Sequence, residues 1–458
     1  MKNLFLVQAL ILLSLGCGEG TESADPGDAG GDAGGDAGGD AGLTWHEHIR
    51  PIVDRRCATC HQPGQIAPFA LTDHAQFTAR LPGIRDSVAT DRMPPWPATH
   101  PERYISEVPM TPDEKARLLA WIDAGAPEGD PTRAVPSTIP EPRALSRVDL
   151  RLSMPTPYQP VGNPDDYRCF LLDWPHDTER FLSGFQAVPG DPSMVHHIAL
   201  YLVGPTLAAR ARARQEPDQV GYPCFGGPNI SDDPLTPFAI LGLWGPGQDP
   251  QELPPGMGLR IQPGSVLVLQ VHYSLPPDAG TDQTSIELKL ETQVEREAAM
   301  LPFINLDWVT RQTMTIPAGQ DNVRHTHQRD PTTDPTAALF TNGVLRPGEP
   351  FEIFNVNLHM HTRGKSTRTS IRRADGSEVP LLDLPAWDFH WQFGYPLRAP
   401  VIFHPGDALF LECIWNNTEA NQPVVDGVRL PPQDLNWGEN TGDEMCAGAY
   451  FVARMPAQ

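Results

Sequence analysis

From about residue 150 onward the chain carries short apolar or alternating runs. VHHIALYLV (195–203), SVLVLQVHYSL (265–275), EIFNVNLHMHT (352–362) and DALFLECIW (407–415) are the clearest. Pro, Gly and Asp break the chain between them. Runs of this length with a period near two, bounded by turn residues, predict strands rather than helices. Their number predicts a mainly β body built as a pair of antiparallel β-sandwiches. About 300 residues suit two domains of similar size, placed here at 151–300 and 301–458. One segment ahead of them follows a different period. In TPDEKARLLAWIDAGAPEGD (111–130), Thr111 is an N-cap, Pro112 sits at the first helical position, and Glu114 completes a capping box. Leu118, Leu119 and Ile122 then form an apolar face, and Gly125 ends the helix. Residues 131–150 are Pro-rich, have no period, and read as a linker.

The N-terminus is organised differently. MKNLFLVQALILLSLGC has one positive charge at Lys2 and an apolar run too short to span a bilayer, the form of a secretory signal. Gly16–Cys17 resembles a bacterial lipobox, although Ser14 stands where Leu is usual. Residues 1–17 are therefore expected to be a lipoprotein signal peptide with Cys17 as the lipidated residue. Gly18 after it favours the outer membrane of a bacterial cell envelope. Residues 18–42, dominated by GDAGGDAGGDAGGDAG, hold no large hydrophobe after the lipid site and read as a disordered acidic tether.

Charge narrows the partners. With 34 Lys+Arg against 57 Asp+Glu the formal net charge is −23, which excludes a nucleic-acid footprint. The 51 Pro and 40 Gly support the turn-rich β reading.

The seven cysteines divide by position. Cys57 and Cys60 lie in CATCH (57–61), a CxxC followed directly by His. In an exported chain that spacing lets two thiols bond one c-type haem while His61 reaches the iron. The competing readings are half of a zinc site or a thioredoxin-like pair; they lack a second CxxC and a βαβ pattern. Met93, fixed between Arg92 and two prolines, is the expected sixth ligand; Met110, His74 and His100 are its rivals. Residues 43–130 thus resemble a small cytochrome c domain, an α-helical one-electron carrier. Setting Cys17 aside leaves Cys169, Cys224, Cys413 and Cys446, an even number that implies two disulfides with three possible pairings.

The histidines of the body cluster. His196 and His197 are adjacent at the start of a strand, and His272 lies on another. His359 and His361 are two apart, so a strand points both to one face. Met445 in GDEMCAGAYF offers a soft thioether, which selects Cu(I) among first-row ions. His46 and His48 in HEH, and His325 and His327 in HTH, are read as solvated or structural. His390 in WDFHWQF is left outside the ligand set. A blue-copper site would need Cys446 as thiolate, but Cys413 offers it a disulfide partner.

The ordered series VHH, LQVHY, HMHTRGK and DEMC resembles the copper type II, ascorbate-dependent monooxygenases over roughly residues 165–455. The resemblance implies two jelly-roll-like β-sandwich domains with one copper ion each. His196, His197 and His272 would hold the electron-transfer copper. His359, His361 and Met445 would hold the copper that meets O2 and substrate, and so carry the catalysis. It also implies disulfides Cys169–Cys224 and Cys413–Cys446. The expected partners are O2, a small-molecule or peptide substrate and an external electron donor. The chain departs from the family's peptide-processing members at Asn357, where an Arg would bind the substrate carboxylate. After Met445 the sequence CAGA is small and apolar. The expected activity is therefore C–H hydroxylation of a substrate other than a glycine-ended peptide, with electrons supplied through the chain's own haem. The alternative is a copper-binding electron-transfer lipoprotein without hydroxylase activity.

Overall fold

The computed structural model describes residues 42–456 apart from 106–109, 142, 162–164, 225–226, 232–235, 237, 276–278, 426–427 and 439–441. The expected signal peptide, Cys17, and the Gly/Asp/Ala segment up to residue 41 lie outside the described residues. Strands hold 36% of the chain and helices 17%, so the mainly β class stands.

The first half of the body contributes β1 (Leu150–Ser153), β2 (Asp165–Asp173), β3 (Arg180–Val188), β4 (Val195–Val203), β5 (Tyr222–Pro223) and β6 (Ala239–Trp244). It continues through β7 (Gln251–Glu252), β8 (Met257–Ile261), β9 (Val266–Ser274), β10 (Ser285–Glu291) and β11 (Arg296–Phe303). The second half adds β12 (Asp321–Arg329), β13 (Phe351–His359), β14 (Gly364–Arg372), β15 (Glu378–Leu384), β16 (Tyr395–Phe403) and β17 (Ala408–Asn416). A short ribbon of β18 (Val424–Val425) and β19 (Val428–Arg429) precedes β20 (Ala447–Arg454).

Three large sheets result. A five-stranded sheet, β5-β2-β9-β4-β6, lies in the first half, and a four-stranded sheet, β12-β17-β14-β15, in the second. The third sheet runs β1-β10-β3-β8-β11-β20-β13-β16, with β7 beside β3, and serves both halves. Its seam is the parallel β8–β11 pair, where Ala298 faces Leu259 on one side and Ala453 on the other. The two halves are thus sandwiches that share one backing sheet, and the expected boundary at 300/301 falls inside β11. Strand periodicity cannot reveal this, because a strand looks the same whichever neighbour it pairs with.

Between the sheets of the first half lie Leu182, Phe185, Leu200, Leu269, Val271 and Ile286, all at most 2% exposed. β9 is central and covered on both faces, which is why VLVLQV reads as an unbroken apolar run. Its odd-numbered Leu267, Leu269 and Val271 enter that core, while Val266 and Val268 join a second cluster on the outer face. The Cys169–Cys224 disulfide belongs to this outer cluster, and Cys413–Cys446 lies in the core of the second half. Both are the pairings that the resemblance implied.

Residues 43–130 are helical. A π-type turn, Trp45–Ile49, leads into α1 (Arg50–Arg56), α2 (His74–Thr78), α3 (Leu81–Ala89) and α4 (Pro112–Asp123). The capping box forms as expected: Thr111 Oγ1 accepts from Glu114 N, and Glu114 Oε2 accepts from Thr111 N. Trp45, Phe77, Leu118 and Trp121 fill a small core of their own. This part is anchored to the rest of the chain. Thr99 N and Ile105 N donate to the carbonyls of Asp383 and Pro396, and Tyr104 Oη to that of Leu381. Tyr104 and Ala98 enter the core of the second half. The expected linker is pinned too: Val135 N donates to His46 O, and Ser146 N to the Glu252 carboxylate.

The HTH histidines are structural. His325 Nε2 bonds the Thr315 carbonyl at 2.9 Å, and His327 lies 4.7 Å from Phe303, ring to ring. Burial, aided by Arg329, pushes His327 down to about 4. The native state then binds fewer protons than the unfolded chain between that value and the ordinary His value of 6.5. Its contribution is complete above that ordinary value and is lost as pH falls toward 4. His327→Phe is expected to raise the melting temperature near pH 5 while leaving it nearly unchanged at pH 8. Melting curves at both pH values check this.

Candidate metal centres

His196 and His197 are neighbours, and in a regular strand neighbours point to opposite faces. The structure resolves this with a β-bulge. Val195 faces Tyr273 and His197 faces His272, so His196 is the extra residue between them. The bulge turns both rings to the outer face, where His272 also lies. The three ligand sets of atoms then converge within 4.8 Å of one another. His196 Nδ1 is 3.2 Å from His197 Nδ1, which is 3.1 Å from His272 Nδ1.

The surroundings fix the protonation. His272 Nε2–H donates to Asp165 Oδ1 at 2.9 Å, so its Nδ1 presents a lone pair. The Tyr167 ring stacks on His272 at 4.0 Å with 6° between planes and sets the ring orientation. Burial, and His390 beside it, hold His196 down to about 4; burial holds His197 and His272 well below their ordinary value. Burial also raises Asp165. Three neutral imidazoles facing Nδ1 to Nδ1 have too few protons to bond one another fully, and a bound cation satisfies all three. The donor set fits a copper ion.

The second set is built by another bulge. In β13 the register shifts between Ile353 and Asn355. Before it Phe351 and Ile353 enter the core; after it Val356, Leu358 and Met360 do. Asn355, Asn357 and His359 are thereby turned to the opposite face. His359 pairs with Ala447 of β20, and continuing that antiparallel register sets His361 opposite Met445. The His359 and His361 rings are 5.1 Å apart. His359 Nδ1 meets Gln392 Oε1 at 2.5 Å and His361 Nδ1 meets the Asp443 carbonyl at 3.1 Å, which orients both rings with Nε2 on the far edge. Met445 is 5% exposed. Two imidazoles and a thioether suit Cu(I).

Glu444 holds this segment together, a role not read from DEMC. It is fully buried, and its carboxylate accepts from His361 N (3.0 Å), Arg363 N (2.5 Å) and Trp415 Nε1 (2.8 Å). Burial lifts it to about 7 against those bonds. Gly364 is needed nearby, since a Cβ there would sit 2.3 Å from Trp387 Cδ1, and Trp387 Nε1 donates to the His361 carbonyl.

On the helical part Cys57 and Cys60 are not bonded to each other, and burial pushes Cys57 up to about 12. His61 N donates to Cys57 O at 2.9 Å, and His61 Nδ1 meets the Phe69 carbonyl at 3.1 Å. Met93 is 36% exposed, whereas its rival Met110 packs with Cys57 against the helical core. His74 Nε2 is engaged by the Ala126 carbonyl. A Cβ on Gly247 would lie 3.7 Å from Cys60 Sγ. Gly247 stands three residues beyond Trp244, the register partner of Ile198, which adjoins His197. The CATCH turn therefore lies against the loop that leads from the first histidine cluster.

Comparison with known proteins agrees with this architecture. Residues 150–279 match the N-terminal domain of the copper type II ascorbate-dependent monooxygenases, and residues 304–452 match the C-terminal domain. The chain carries both domains of that family, in order. It is similar to MOXD1 homolog 1 of Drosophila melanogaster, 22% identical over 225 residues, 48% of this chain and 28% of the fly protein. It is also similar to dopamine beta-hydroxylase of Canis lupus familiaris, 21% identical over 302 residues, 62% of this chain and 42% of the dog protein. The matched part spans less than half the length of either relative.

Proposed function

We propose that the chain is a copper-dependent monooxygenase that uses O2 to hydroxylate a C–H bond, with electrons drawn from a c-type haem on its own Cys57–His61 turn. The observation that carries the reading is the convergence of three neutral imidazoles in one family domain, with the His359 and His361 rings 5.1 Å apart at the end of β13 and Met445 just ahead of its partner strand β20 in the other. Bound copper would supply one-electron exchange and an open position for O2, and bound haem one-electron storage. The protein's own part is to orient and exclude. Asp165 and Gln392 hold ring nitrogens, and Glu444 clamps the turn that carries His361. Asn355 and Asn357 line the face of β13 that leads to His359 with neutral amides, and each has a buried Oδ1 without a hydrogen-bond partner. A substrate with an N–H or O–H group near the reacting carbon fits them better than a carboxylate does. The unpaired thiols, the orientation of His61 and the nearness of Cys60 to the Gly247 loop support haem in this role. The N-terminal signal and Cys17 support attachment to a bacterial outer membrane.

Protein matured in a host that attaches c-haem and then loaded with copper is expected to hold one covalent haem and about two copper ions per chain. Met445→Leu is expected to keep the haem and the first copper while abolishing substrate-dependent O2 consumption. Mass spectrometry, metal analysis and an oxygen electrode check this. Unchanged hydroxylated product from the Met445→Leu chain would overturn the reading.

A further inference from the structure

We propose that His390 is a fourth imidazole of the first copper centre, supplied from the second half of the chain. The inference rests on the reading that His196, His197 and His272 hold copper. His390 lies on the loop between β15 and β16, far from the other three in sequence. Its ring centroid is nevertheless 5.5 Å from that of His196. The three converging rings are themselves 5.4, 4.8 and 4.5 Å apart, so His390 stands from His196 at about the spacing those rings keep, just outside the group of nitrogens that already converge.

Its orientation is also prepared. Asp388 Oδ1 accepts from the backbone N of His390 and meets the ring Nδ1, both at 2.9 Å. Nδ1 thereby faces the carboxylate, and Nε2 on the far edge is the nitrogen left to meet a metal. A carboxylate behind an imidazole is how metal-bound histidines are commonly held, and Asp165 stands to His272 in the same relation. The side chain is 66% exposed, so its position is not set by packing in a core. A rotamer change can bring it to the cluster.

The coordination chemistry gives it a use. Three imidazoles leave a cupric ion, which favours a four-ligand tetragonal arrangement, one donor short. The same loop reaches the other centre: the Phe389 ring is 5.9 Å from that of His361, and Gln392 meets His359. A bond from His390 would tie the two halves together through one loop that touches both histidine sets.

The test uses the full chain with His361→Ala, or His359→Gln if that chain does not fold, so that only the first centre holds Cu(II). Pulsed EPR counts the bound imidazoles, and chelator competition gives the affinity. Four imidazoles are expected, falling to three with His390→Ala, and the affinity is expected to drop about 10–100-fold. Asp388→Asn is expected to fall between. An EPR signal and affinity that His390→Ala leaves unchanged would overturn the proposal alone. Failure of the parent chain to bind Cu(II) at all would overturn it together with the reading of the first centre. Melting temperature checks that the variants remain folded.

Discussion

A His272→Ala chain is expected to lose copper from the first centre while keeping the second. His272 is 3% exposed, is held by Asp165 and Tyr167, and supplies one of the three converging nitrogens. Removing a partner that merely orients a ligand commonly costs about 10–100-fold in metal affinity, and removing the ligand costs more. The variant should therefore retain about one copper per chain after washing, with Asp165→Asn weakened less. Hydroxylation driven by the donor should stop in His272→Ala, because only one histidine set would remain loaded. Metal analysis and EPR decide the matter. Retention of both copper ions would show that the cluster is a structural group of histidines.

The second large effect falls on stability. Glu444→Ala leaves His361 N, Arg363 N and Trp415 Nε1 buried without their acceptor. Each such donor costs about 1–3 kcal/mol, so a loss of at least about 3 kcal/mol is expected. Glu444→Gln keeps one oxygen and should lose less. The same change frees the turn that carries His361, so copper at the second centre should be lost before the chain unfolds. Denaturant titration with and without copper measures both. A wild-type midpoint for the alanine variant would mean that Glu444 does not clamp the turn.

Much of this was legible from local chemistry. The alternating runs became strands because a half-buried strand needs one apolar face. The spacing in HMH set two imidazoles on one side for the same reason. Thr111 and Glu114 capped α4 because the unpaired N–H groups of a first turn need acceptors. The even number of cysteines implied two disulfides, although only the resemblance, and then the fold, chose their pairing.

Other features required the tertiary structure. Adjacent histidines at 196 and 197 argue against a shared metal unless a bulge is present, and a bulge depends on the partner strand. His390 stayed outside the ligand set because its approach to His196 joins segments far apart in sequence. Glu444 is an ordinary acid in DEMC until burial brings three donors to it. The docking of residues 96–105 and the sheet common to both halves depend on which strand edges meet. The sequence by itself determined the donors, their local faces and the capped helix, since these depend on residues a few positions apart. Only the tertiary structure decided which donors converge, because convergence depends on register and bulges that distant strands impose.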